Sequence, residues 1–193
     1  EKGWQEAIEI VTAARKNSGR DIHLVLVGDG AEHDRLAKLQ LPAFVHLKGF
    51  QRNVRAYFAV ADFGLLPSKF LGESSPLVVI ECLQAGSPVL ASALGDISYM
   101  LSSPDGTAGI MVELNGGKID IDLWAREIAT LASDKHACEI LNSRVHRAAQ
   151  KFDANIMTTK YDNVYRSVWS ESEQSIISSS SGRSVANNCV TLV

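Results

Sequence analysis

Basic runs are missing from this sequence, and so are long apolar ones. Lys and Arg are scattered, no stripe of them is interleaved with aromatics, and the formal net charge is −3. This excludes a nucleic-acid surface built on phosphate neutralisation. The longest apolar stretches, such as residues 77–80, fall far short of the roughly 20 residues that span a bilayer. No charged and apolar secretory pattern opens the chain, so a cytoplasmic protein is expected. Cysteine is scarce. Cys82, Cys138 and Cys189 are odd in number and none has Cys-x-x-Cys spacing, which argues against a disulfide framework and for free thiols in a reducing compartment. The histidines at 23, 33, 46, 136 and 146 stand at no ligand spacing with Cys or carboxylates, so no zinc site is expected.

What is present is an ordinary globular composition, 46% hydrophobic and 21% charged over 193 residues, enough for one domain with its own core. Helical and strand patterns alternate. Trp4, Ala7, Ile8, Val11 and Ala14 recur at helical spacing. Residues 22–27 form a short β-rich run stopped by Gly28-Asp29-Gly30. A helix is predicted over 32–39, a strand over 44–47, a helix over 54–60 capped by Asn53, and a strand over 62–66. A loop over 68–75 leads to a helix over about 76–85, ended by Gly86 and kept from restarting by Pro88. A strand over 88–91, a short helix over 96–101 and a strand over 108–114 follow, and from Asp120 the pattern is helical. Alternation of this kind implies a doubly wound, Rossmann-like α/β domain with a parallel sheet of about six strands and helices on both faces. Ligands in such domains sit beyond the C-terminal strand ends, here the loops at Gly28, Gly49, 68–75 and 92–96. Residues 1–169 are assigned to this domain. Residues 170–193, rich in Ser and carrying Gly182 and the pair Asn187-Asn188, are predicted to be a flexible tail. The chain opens on Glu1 and enters a helical pattern almost at once, so it is read as a piece of a longer protein.

The block from Pro67 to Ser92 carries the chemistry. Ser75 before Pro76 reads as an N-cap followed by proline at the first helical position. The helix is apolar almost all round, which predicts burial. Leu77 and Val78 would then present free N–H groups at the positive end of the helix dipole, an arrangement suited to phosphate. Glu81 interrupts the apolar run with a carboxylate one turn beyond Leu77. A buried unpaired charge costs several kcal/mol, on the order of the known ion-burial penalties, so it needs a partner. Ligand hydroxyls at the helix start would serve, since a carboxylate only accepts. Glu73, ahead of the helix, would lie past the phosphates. Taken alone, the pair leaves an ordinary reading open: Glu81 in a core ion pair and Glu73 a solvated loop residue.

The wider block resembles the C-terminal domain of GT-B-fold glycosyltransferases of family 4, the glycosyl transferases group 1. Their pattern Pro-Ser…Glu-x-Phe-Gly-x-x-x-x-Glu…Gly-x-Pro-Val-x-Ala is matched at Pro67, Ser68, Glu73, Glu81, Gly86, Pro88, Val89 and Ala91. The stretches Lys2-Gly3, Val27 to Gly30, His46 to Phe50 and Ala108 to Val112 also resemble family segments, and the likeness runs over about residues 1–170. The family's Phe-Gly is replaced by Ser75-Pro76, which removes one amide donor and offers a hydroxyl from Ser75 instead.

The resemblance implies a retaining transfer of sugar from a nucleoside-diphosphate sugar, such as a UDP- or GDP-sugar, to a hydroxyl acceptor, with no cofactor and no metal. Glu81 would hold the ribose hydroxyls and Glu73, the catalytic-site candidate, the donor sugar. The N–H groups of Leu77 and Val78 would bind the distal phosphate, and Lys2 would add positive charge. Phe50 would meet the base, and Gly28 would admit the ligand to close approach. For Gly28 and Gly30 an ordinary turn explains the same residues. An N-terminal acceptor-binding domain and the first strand of this one would precede Glu1, and a peripheral membrane contact would run through that missing domain. The rival readings are a non-catalytic Rossmann-like nucleotide-binding or regulatory module, and a GT-B-fold nucleotide-sugar epimerase or phosphorylase. A dinucleotide site is disfavoured, because Gly28-Asp29-Gly30 lacks the third glycine of the fingerprint.

Overall fold

Short β-rich runs punctuated by glycine, each followed by an apolar-faced helical segment, fold as the alternation predicts. The computed structural model describes residues 2–180, with side chains through Ser170. It divides into two units, Glu1–Lys151 and Phe152–Val193.

In the first unit, helix α1 (Trp4–Ser18) leads into strand β1 (Leu24–Leu26), helix α2 (Ala31–Leu36), strand β2 (Val45–Leu47) and helix α3 (Val54–Val60). Strand β3 (Gly64–Leu66), helix α4 (Leu77–Ala85), strand β4 (Val89–Ser92) and helix α5 (Ile97–Leu101) follow. A two-residue hairpin, β5 (Ser102–Ser103) and β6 (Gly106–Thr107), precedes strand β7 (Gly109–Val112). Helices α6 (Ile121–Ser133) and α7 (Lys135–Ala149) close the unit. Strands β1 and β2 pair in parallel, with Leu24 opposite Val45. Strands β3, β4 and β7 form a second parallel ladder, in that order. Five parallel strands in two ladders stand where about six in one sheet were expected. Among the described residues no ladder joins β1 to β3. The ladders nevertheless share one core, since Leu24, Leu26 and Val45 cluster with Leu90, Val112 and the α1–α6 interface around fully buried Trp124.

The helices lie on both faces, α1 with α6 on one and α3, α4, α5 and α7 on the other. Strand β3 and α4 approach so closely that a side chain at Gly64 would meet the Cys82 sulfur. Helix α2 stops at Leu36 rather than 39. The Lys38 and Leu39 N–H groups bond three residues back, to Arg35 and Leu36, tightening the chain into a turn before Pro42. Asn53 caps α3 as expected, its side chain accepting from the Ala56 N–H at 3.3 Å.

In the second unit, helix α8 spans Ala154–Ser180. It therefore runs through Ser170, where the tail was expected to begin. Every side chain from Ala154 to Ser170 is exposed, including Tyr161, Val164, Tyr165 and Val168. The remainder of the expected tail, with Cys189, lies outside the described residues.

Candidate functional site at the strand tips

The end of β3 fixes the first part of the site. Beyond Leu66 the chain passes through Pro67 to Ser68, which is fully buried. Gly3 lies against this point. It has φ +79°, and a side chain there would collide with the Pro67 carbonyl, so only glycine lets the start of α1 come this close. That approach delivers Lys2 to Glu73. The Lys2 ammonium donates to both carboxylate oxygens, at 2.8 Å to Oε1 and 2.5 Å to Oε2, and Ser68 Oγ donates to Oε2 at 3.1 Å. Glu73 is only 6% exposed. It is not the solvated loop residue that the ordinary reading allowed, because a carboxylate removed from water needs such donors. Its main chain is held as well. The Glu73 N–H donates to the Phe70 carbonyl at 2.9 Å, and Asp96 N–H to the Ser74 carbonyl at 2.8 Å. Gly95, in the left-handed region, packs where a side chain would strike the carbonyls of Glu73 and Ser74.

Helix α4 provides the second part. Pro76, not Ser75, is its N-cap, and no side chain caps it. Ser75 Oγ points instead to the Met100 sulfur, at 3.7 Å. The predicted cap fails because Pro76 has extended backbone, φ −66° and ψ 122°, so the helix starts one residue later than expected. With no cap, the N–H groups of Leu77 and Val78 have no acceptor among the described residues, as the geometry of a helix start requires. The helix is not buried all round either. Val79, Cys82 and Leu83 face the core, while Leu77 is 71% exposed and Glu81 is half-buried on the same side one turn on. The apolar composition overstated burial because that face has no packed neighbour. Glu81 makes no hydrogen bond or ion pair among the described residues, so the core ion pair of the ordinary reading is absent.

Gly28 and Phe50 form a second cluster, at the tips of β1 and β2. The Gly28 N–H donates to the Gly49 carbonyl at 2.8 Å, and Phe50 is 65% exposed. Gly28 has φ +140°, a backbone conformation that other residues rarely adopt, and an added side chain would also press on the Trp4 ring, so local structure alone accounts for glycine here. No hydrogen bond or ion pair among the described residues joins this cluster to Glu73 or α4. What links them is the first turn of α1, where Gly3 rests on Pro67 while Trp4 rests on Gly28. Ser68 was seen in the sequence only as part of a pattern. Its signal was a small polar residue two positions after a strand and five before an acidic one.

The family model described as "Glycosyl transferases group 1" matches residues 1–134. The chain belongs to this family. The sulfoquinovosyl transferase SQD2 of Arabidopsis thaliana is 29% identical to this glycosyl transferase group 1 chain over 148 residues, covering 74% of the chain and 28% of the relative. The lipopolysaccharide core biosynthesis glycosyltransferase LpsE of Rhizobium meliloti is 27% identical over 165 residues, covering 83% and 45%. Among solved structures, Anabaena HepE in complex with UDP-glucose superposes with a TM-score of 0.69 at 21% identity, covering 86% of this chain and 45% of that one. The fold is thus one Rossmann-like half of a GT-B glycosyltransferase. The chain spans less than half the length of each of these proteins.

Proposed function

We propose that this chain is the nucleotide-sugar-binding domain of a retaining glycosyltransferase, which moves a sugar from a nucleoside-diphosphate sugar to a hydroxyl acceptor. The observation that carries the reading is Glu81, a half-buried carboxylate with no protein partner among the described residues, one turn from an uncapped helix start. The likeness to a structure holding UDP-glucose supports it.

In this reading the distal phosphate rests on the N–H groups of Leu77 and Val78, and the ribose hydroxyls donate to Glu81. The base lies toward Phe50, and Glu73 accepts from hydroxyls of the transferred sugar. Charge that builds on the departing diphosphate is met by the positive end of α4, already in place before reaction, and by Lys2, which the phosphate draws from Glu73. Ser75, whose hydroxyl is turned to Met100, is left as a minor phosphate contact. The acceptor is held by a domain outside this sequence, and the chain alone holds the donor without transferring it.

Titration calorimetry with UDP and GDP tests the reading. One of them should bind, and Glu81→Ala should abolish the heat while leaving the melting temperature unchanged. Undiminished binding by Glu81→Ala, or no heat with either nucleotide, would overturn it.

A further inference from the structure

We infer that Ser68 is a positioning residue whose hydroxyl aims the Glu73 carboxylate at the donor sugar. The inference rests on the role proposed above for Glu73. Ser68 Oγ accepts from the Phe70 N–H at 3.2 Å and donates to Glu73 Oε2 at 3.1 Å. A hydroxyl has one proton. With the backbone donor fixing the oxygen, that proton goes to Glu73 along one direction. The residue is fully buried, sits directly after Pro67, and has a single side-chain torsion to set.

Lys2 cannot do this work. It contributes a compact charge on a flexible four-carbon stem, and its side chain is 54% exposed. In the proposed reading it also has a second claimant, the diphosphate. When phosphate draws the ammonium away, the Ser68 bond is the contact that stays on the carboxylate. The backbone of Glu73 is already clamped by Phe70, and Gly95 packs against its carbonyl. The rotation of its side chain is what remains to be set, and Ser68 sets it.

The test uses the full chain and two matched ligand pairs, UDP with UDP-glucose and GDP with GDP-mannose. The quantity read is the gain in affinity from the diphosphate to its sugar ester. Ser68→Ala should lower that gain roughly three- to tenfold, the net worth of one ordinary hydrogen bond. Affinity for the bare diphosphate should stay within about twofold, since no phosphate or ribose contact is touched. Ser68→Cys, nearly the same shape but a weak donor, should match Ser68→Ala. A purely structural role would lower both affinities together and depress the melting temperature, and that result would overturn the inference. So would an unchanged gain in Ser68→Ala, or a gain kept by Cys and lost by Ala. Glu73→Ala separates the two levels. If it abolishes the gain while Ser68→Ala does not, only the role of Ser68 falls. If it leaves the gain intact, or no pair binds, the proposed role of Glu73 falls and the inference with it.

Discussion

At the scale of single residues, two acidic groups on one loop and helix live in opposite surroundings. Glu73 is out of water and held by an ammonium and a hydroxyl, while Glu81 is half in water and held by nothing among the described residues. The first is held in one arrangement, and the second is not engaged by any described residue. The contact between Lys2 and Glu73 was not legible in the sequence, because 71 positions separate them and only the glycine at position 3 brings the ends together. Glu81 was legible as an interruption of an apolar run, but its exposure was not, since composition does not say which face of a helix has neighbours. Cys82 is the opposite case. It lies in the same apolar run, its thiol is buried, and it packs against Gly64. Burial, with the Glu81 charge next to it, pushes its pKa from 9.0 up to about 12. The folded state therefore keeps a proton that the unfolded state releases above pH 9. On this account stability falls as pH rises from 9 toward 12, and the thiol stays inert below that range. Iodoacetamide at pH 8 should label Cys82 only at the rate of unfolding, read by peptide mass spectrometry. Labelling as fast as a free thiol would contradict the packing.

At the scale of elements, ends were read better than faces. The stop of α4 was visible in Gly86 and Pro88. The structure closes the helix there with Ser87 N–H on the Cys82 carbonyl at 3.0 Å and Gly86 N–H on the Leu83 carbonyl at 3.1 Å, with Gly86 at φ +91°. This paired closure needs a left-handed residue, and glycine adopts it without strain. The same helix starts one residue later than the sequence predicts, because proline fixes φ but leaves ψ free to stay extended. Asp120 and Asp134 cap α6 and α7, accepting from Leu123 N–H at 3.0 Å and Ala137 N–H at 3.1 Å. Helix α6 carries Trp124, Ala125 and Ile128 into the core, so its start matters to the whole unit. Asp120→Ala should cost about 1 kcal/mol of unfolding free energy, measured as a lower urea midpoint at an unchanged slope. Asp120→Asn, which can still accept, should recover most of that. A loss of more than about 3 kcal/mol, or a changed slope, would mean the residue does more than cap.

At the scale of the molecule, the alternation of elements was enough to foresee the doubly wound class and the two helical faces. It could not foresee that the parallel strands would fall into two ladders, since which strand edges pair is decided by the whole fold. Among the described residues, every member of the apolar core falls between Ala7 and Ala148. Trp124, Ile10, Leu90 and Ile128 are completely buried within it, each contributing about 1.5–3 kcal/mol by removal from water. By contrast, no described side chain from Ala154 to Ser170 is buried. Cooperative unfolding comes from a shared core, so it belongs to the first unit. A chain ending at Lys151 should therefore fold by itself. It keeps the Lys151 ammonium that donates to the carbonyls of Tyr99 and Ser102, satisfying groups at the C-terminal end of α5 that would otherwise lack partners. Urea denaturation of residues 1–151 should give one sharp transition, with near-ultraviolet circular dichroism and far-ultraviolet signal lost together. A broad transition with no near-ultraviolet signal would show that packing in the first unit depends on residues beyond 151, and that the division into two units is not a division of stability.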